Sequence, residues 1–488
     1  MKDVPSRRFT FTVAFCVVVL AGCGSQVPPN QYFGGGVAAA AQPGSSPTNV
    51  PTGGATTSGV GLNTGPSAAG SGAPGGSLTG GLGSGPGSGS GGGPTGSKTS
   101  GATAGIQAGS CSGFKNGTGV TNSTISLGNI ADVSGPVPGL FTSAQQATLA
   151  YAAYFNSTST ICGRKLKVVP YDSETSASGD QEASTSACSN TFAIVGSIGA
   201  FDSGGASTVA HCGIPDLRTI STTPERNASP VSYGVDAGDP SQVSTSQYRY
   251  IKSATGNAYQ KTAVLYLNAG AAVPNALAYV KTMSSLGYHV VYTQAIDVTA
   301  FNYAPYVASM QSLGVTLVQF EGSYQFAVRL KEAMQAQGMN PVFVMDSVAY
   351  DPVFVQAGGR DLNGMYSYVD TELTEDIPQS AEMKLYIQWL HRVAPSASPS
   401  FYGMFAWGSM ALFTQLATEL GGKLTRGSLL GAIKGVSNYT DHGLFAPQQV
   451  GAKRTTSCQT VIQLEDSKWI RKTPLPYYCS TVYSVPSH

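Results

Sequence analysis

The chain has 488 residues, a formal net charge of +1 and 11% charged residues, against about 25% in an ordinary globular chain. Near-neutrality argues against nucleic-acid binding through a broad basic surface. The length allows two or three domains of ordinary size, and the 61 glycines are concentrated enough to mark regions of different composition.

Residues 1–23 read MKDVPSRRFTFTVAFCVVVLAGC. Lys2, Arg7 and Arg8 form a positive start, and residues 9–20 form an apolar stretch too short to span a bilayer, which needs about 20 apolar residues. The stretch ends in Leu20-Ala21-Gly22-Cys23, which resembles the lipobox of bacterial lipoproteins. That resemblance implies lipidation and cleavage at Cys23, and anchoring by several acyl chains on the extracytoplasmic face of the cell membrane. Residues 24–110 are dominated by Gly, Ser, Thr, Pro and Ala, with Lys98 the one charged residue. Such a segment buries too little apolar surface to offset its ordering entropy. The expectation is a disordered tether with an r.m.s. span of about 50 Å.

Residues 111–488 hold 23 basic and 25 acidic residues, a net charge of −2. Six cysteines fall here, an even number that suits disulfides in an exported chain. The favoured pairing joins sequence neighbours: Cys111 with Cys162, Cys188 with Cys212, and Cys458 with Cys479. No CxxC spacing supports zinc or redox chemistry, so neither a metal nor a cofactor is expected. Five Asn-X-Ser/Thr sequons, the first at Asn116, are read as chance matches in a Ser/Thr-rich chain.

Strand and helix patterns then alternate. Residues 124–130 (TISLGNI) read as a strand and 143–155 as a helix, with Ala144, Ala147, Tyr151, Tyr154 and Phe155 on one stripe. A strand at 165–169, a helix at 181–190, a buried strand at 192–195, a helix from about Gly205 and a strand at 217–220 follow. A second series runs through strands at 263–267, 289–292, 316–320 and 342–345, with helices at 275–286, 304–313 and 324–335 between or after them. Long helices at 383–394 and 408–420 and a late strand at 457–464 complete the chain. Strands separated by helices of this length imply βαβ units, and two series imply two α/β lobes with parallel sheets.

Ligands of open parallel sheets bind beyond the carboxyl ends of the strands. There the sequence places Asp202-Ser203 within a glycine-rich loop, the hydroxyl run Ser221-Thr222-Thr223, and Asp346 directly after a strand. Each alone suits a cap or turn; together they point to a polar cleft. The three tryptophans and the run Phe401-Tyr402…Phe405…Trp407 read as core. None of the five histidines shows HExxH spacing, and there is no GxSxG elbow or phosphate-binding loop. Thr440-Asp441-His442 is read as a loop rather than as catalytic machinery.

The order of these features resembles the type I periplasmic binding proteins, in particular the branched-chain amino acid binding family in lipoprotein form. The likeness is carried by ISLGNIADVSGP at 125–136, by Asn156, Gly163-Arg164-Lys165 and Asp172, by AIVGSIGAFDSGGAS, by GIPDLRTIST, and by FNYAPYVASMQSLGVTLVQFEG. It implies two Rossmann-like lobes joined by three crossover segments. Lobe 1 takes about 111–241 and 369–435, and lobe 2 about 242–368 and 436–488. Residue by residue it implies that Asp202, Ser203, Ser221, Thr222 and Thr223 hold a ligand carboxylate, that Asp346 meets its ammonium, and that Phe141 and Tyr324 supply aromatic contacts. Asp202 departs from that role: it points away from a ligand carboxylate or is itself the ammonium partner. Proline and alanine in residues 269–274 depart as well, where the family usually carries polar or aromatic contacts. The implied function is a non-enzymatic, lipid-anchored solute-binding protein that delivers a small polar solute, amino acid or amide-like, to the permease of an ABC importer. The alternatives are a sensing receptor domain of the same fold without transport and, behind it, a surface hydrolase.

Overall fold

The computed structural model describes residues 107–486. The leader, Cys23 and the tether up to residue 106 lie outside the described residues.

The first series builds β1 (Thr124–Ala131), α1 (Thr142–Thr158), β2 (Lys165–Asp172), α2 (Ala177–Asn190), β3 (Ala193–Val195), α3 (Ala206–Cys212), β4 (Asp216–Ile220), α4 (Pro224–Ala228) and β5 (Ser232–Asp236). The strands form one all-parallel sheet in the order β2-β1-β3-β4-β5. Central β3 is the apolar run AIV, buried throughout, as a sheet covered on both faces requires. Pro170 lies in β2, an edge strand, where a missing N–H is tolerated.

A short β6 (Gln242–Ser244) and α5 (Ser246–Ala254) lead into the second series. It comprises β7 (Thr262–Leu267), α6 (Ala272–Ser285), β8 (Val290–Ile296), α7 (Ala304–Ser312), β9 (Leu317–Glu321), α8 (Tyr324–Ala336), β10 (Val342–Met345), α9 (Pro352–Gly358) and β11 (Tyr366–Val369). The chain then returns as α10 (Ala381–Val393), α11 (Phe401–Leu420) and α12 (Arg426–Lys434). Helices α10 and α11 pack on α1, and α11 also lies on β3, β4 and β5. The chain ends in β12 (Cys458–Glu465), β13 (Lys468–Arg471), β14 (Tyr478–Cys479) and β15 (Val482–Ser484). The second sheet has eight strands, with the path β13-β12-β11-β10-β9-β7-β8 and β14 beside β12. Its β7 to β11 are parallel; β12, β13 and β14 join antiparallel as late hairpins. β15 pairs with β6.

The chain thus passes between the two sheets three times, after β5, after β11 and after α12. The expected two-sheet α/β architecture is present, and its second sheet is mixed rather than purely parallel. The expected disulfide pairs, Cys111–Cys162, Cys188–Cys212 and Cys458–Cys479, are formed.

The residues behind the family likeness do structural work. Asn156 clamps β2 by donating to the Leu166 carbonyl at 2.8 Å and accepting from the Leu166 amide at 2.8 Å. Asp172 accepts from the amides of Val133, Ser134 and Glu174, and these bonds hold its carboxyl below the usual range against partial burial. Helix α11 is seven residues longer at its start than the pattern suggested. Ser400 caps it by accepting from the Gly403 amide at 3.1 Å, which draws the whole aromatic run into the helix. Trp407 is fully buried there and meets Tyr151, Tyr154 and Tyr386.

Candidate functional site

At the carboxyl end of the first sheet, Asp202 is fully buried and faces inward. Its oxygens accept from the amides of Thr222 and Thr223 at 3.0 and 3.1 Å and from the Thr223 hydroxyl at 2.6 Å. Arg218 pairs with it at 3.4 Å. Arg218 and Arg226 also share Asp216, and Arg226 holds Asp180 at 2.6 Å. Asp180 in turn accepts from the Gly205 amide before α3. Thr222 donates to the Gly199 carbonyl, and Thr223 caps α4. So the amides of Thr222 and Thr223, in the hydroxyl run that the family likeness gives to a ligand carboxylate, are met here by Asp202. Asp202 is turned toward these amides and Arg218. Ser203 is half-buried, whereas Ser221 is buried with its hydroxyl unpartnered.

The second sheet ends differently. Glu321 closes β9 and Asp346 follows β10, both more than nine-tenths buried. Glu321 Oε1 accepts weakly from Asn275 at 3.4 Å, and the Glu321 and Asp346 carboxyls lie within hydrogen-bonding reach of each other. Asp346 accepts from the Val348 amide at 3.3 Å. Neither takes part in the ion pairs found among the described residues. Burial and the Asp346 charge push the Glu321 carboxyl well up, and burial raises Asp346 to about 6. Ser323 adds a buried, unpartnered hydroxyl one turn away. Tyr324 stands at the start of α8, but its ring packs edge-on against Phe354 of α9.

Tyr402, near the start of α11, links the two sheets. Burial lifts its phenol well above the usual range, and Asp346, Glu321 and Asp236 all act on it, with Ser347 as its hydrogen-bonding neighbour. Phe141 meets its ring edge-on at 5.1 Å. Of the expected residues, Asp346 and Phe141 therefore gather around Tyr402. Tyr402 and Glu321 went unnoticed in the sequence, the first inside an aromatic run read as core, the second one residue beyond a strand read as ending at Phe320.

Two further contacts define the space between the sheets. On one side the loop after β3 touches the loop after β7, with the Ala271 amide donating to the Ala200 carbonyl at 3.0 Å. Gly270 adopts φ +50°, and a Cβ there would lie 2.5 Å from the Ala200 oxygen, so the proline- and alanine-rich segment contributes close backbone approach. Asp132 supports this edge by accepting from the Ala200 amide at 2.8 Å, and burial raises its carboxyl to about 6. On the other side Gln448 ties the three passages together. Its carbonyl accepts from the Ala237 amide at 3.2 Å, and its amide donates to Asp370 at 2.6 Å. Burial raises Asp370 to about 7, and burial with the Asp370 charge pushes the Asp236 carboxyl well up.

The sequence profile of the periplasmic binding protein family matches residues 124–468, both sheets included. The chain belongs to the periplasmic binding protein family. Among curated proteins no sequence matches it. Among solved structures it is similar to a fatty acid ABC transporter substrate-binding protein from Thermomonospora curvata, at TM-score 0.63 and 18% identity over 77% of this chain and 98% of that one. It is also similar to the branched-chain amino acid transporter substrate-binding protein of Streptococcus pneumoniae in complex with isoleucine, at TM-score 0.58 and 16% identity over 72% and 100%. A solute-binding protein from R. palustris in complex with benzoate matches at TM-score 0.60 and 16% identity over 73% and 97%. At these identities the likeness is one of fold, that of the type I binding proteins. Members of this family are solute-binding proteins rather than enzymes. No helix among the described residues is long and apolar enough to cross a membrane.

Proposed function

We propose that this binding protein is the lipid-anchored, extracytoplasmic receptor of an ABC importer, and that it takes a small polar solute between the carboxyl ends of its two sheets. The observation that carries this reading is the buried pair Glu321 and Asp346, without a cation, beside Tyr402 of the helix that covers the opposite sheet. Two buried carboxyls without a counter-ion are costly, and a ligand ammonium or amide donor would offset that cost. In the first lobe the amides of Thr222 and Thr223 are already held by Asp202, and that of Gly205 by Asp180. An amine or amide-like solute therefore fits better than a free amino acid, whose carboxylate would find those amides taken. Ser221, Ser203 and Ser323 supply hydroxyls around it, and Phe141 and Tyr402 an aromatic wall. Binding would favour closure of the sheets on each other, the form a permease reads.

Thermal-shift and calorimetric screening of amines, amides, amino acids and small carboxylates tests this. Amines or amides should raise the melting temperature, and Asp346→Asn should weaken binding about 10- to 100-fold with the fold intact. Unchanged affinity in that variant removes Asp346 from the site. No stabilisation across the panel overturns the solute-binding reading.

A further inference from the structure

A cavity of about 700 Å³ opens on the helical face of the first lobe, away from the strand ends. Its walls come from the C-terminal half of α1, the second half of α11, the end of α12 and the loop that leads into the third passage. Tyr151, Tyr154, Phe155 and Tyr439 line it with aromatic rings, and Leu412 and Leu416 add aliphatic surface. Three carboxylates reach it, from Glu382, Glu419 and Asp441, with His442 beside them, and among the described residues its lining has no lysine or arginine.

Two of these acids are more than nine-tenths buried. Glu382 accepts from the Trp407 indole at 2.7 Å. Asp441 accepts on Oδ1 from the Tyr439 hydroxyl at 3.2 Å, and its Oδ2 is buried and unpartnered. Burial and the neighbouring Glu382 charge push the Asp441 carboxyl well up. Asn438, Asp441 and His442 are all held at positive φ, a conformation rare outside glycine, in the loop that carries Asp441. None of the cleft residues named above lines this cavity, and a loop role alone does not explain a buried, unpartnered carboxyl oxygen at its wall.

We infer that this cavity is a second ligand site, for an organic cation with an aromatic or aliphatic body. The ammonium would donate to Asp441 Oδ2 and sit against the tyrosine faces, which attract cations through the ring quadrupole. The body would lie against Leu412 and Leu416. The inference is independent of the ligand assigned to the cleft.

The purified full chain, titrated with phenethylamine, tests it by calorimetry and by the indole N–H resonance of Trp407, which reports on Glu382 at the cavity. Phenethylamine should bind and shift that resonance. Its neutral analogue phenethyl alcohol should bind at least about tenfold more weakly. Asp441→Asn should weaken the amine by a similar factor, and Ala432→Trp, at a half-buried helix position in the lining, should abolish the shift by filling the space. Should Asp441→Asn fail to fold, Ala432→Trp carries the test. The shift should persist in Asp346→Asn, which separates this site from the cleft. Equal binding of amine and alcohol, no movement of the Trp407 signal, or full binding in folded Ala432→Trp overturns the inference.

Discussion

Both sheets end in buried acids, but only the first holds a group of them against arginines; its Asp132 and Asp236, like the acids of the second sheet, have no cation among the described residues. Asp180, Asp202 and Asp216 surround Arg218 and Arg226, so each of these carboxylates has a cation within the cluster. Glu321 and Asp346 sit as deep and have no such partners. Burial alone therefore does not mark a functional acid. A carboxylate whose charge is answered inside the protein positions the loops around it, whereas one left unanswered destabilises the protein until something arrives to answer it. Four measurements can break or sharpen this contrast.

The largest effect is expected at the arginine cluster. Arg226→Met strips a cation from Asp180 and Asp216 and should cost about 3–5 kcal/mol of stability, read by chemical denaturation. A loss below about 1 kcal/mol, the range of an exposed pair, would mean that the cluster is solvated and the contrast false.

At the open pair the opposite sign is expected. Asp346→Asn removes the charge that this pair carries above about pH 6, and should raise stability at pH 8 by about 1–3 kcal/mol while weakening the solute. A destabilised protein at that pH would show that the Asp346 charge is answered by an internal partner after all.

The same logic fixes a pH dependence. Asp132 and Asp346 at about 6 and Asp370 at about 7 lie above the unfolded carboxyl value of about 3.9. The folded state binds more protons between these values, so stability is greatest below them and falls as pH rises through 6 and 7. The melting temperature of the ligand-free protein should drop between pH 5 and pH 8, with the upper part of the drop missing in Asp370→Asn. Solute affinity should move the other way, rising through about pH 6 as Asp346 deprotonates.

The smallest effect on stability is expected at Gly270→Ala, about 1 kcal/mol for the left-handed backbone. Its methyl would meet the Ala200 oxygen, so the lobes should part more readily and bound solute should dissociate faster in stopped-flow measurements. An unchanged dissociation rate would show that this edge plays no part in retention.

Much of the architecture was legible because buried parallel strands are apolar runs. VFVM and AIV stand out in any window, and the helices between them carry clear stripes. β5 was missed because SYGVD has no such run; its burial comes from neighbours far along the chain. The start of α11 was hidden because Gly403 interrupts an aromatic run, and only the Ser400 cap reveals the helix. Asp346 was legible as an acid directly after a strand. The partners of Asp202 were not, since Arg218 and Arg226 reach it only once β4 and α4 have folded beside the loop. Glu321 carried a faint signal, an acid closing an otherwise apolar strand.

Gln448 has a mechanical meaning. One side chain holds Ala237 from the first passage and Asp370 from the second while itself belonging to the third, and the Ala446 amide and the Thr455 hydroxyl bond to Asp370 and Asp239 beside it. Relative movement of the sheets is then expected to pivot about this cluster, small near it and largest at the Ala200 and Ala271 loops. A pair of fluorophores placed on those two loops would read the whole swing, and the same pair placed beside Gln448 would stay silent.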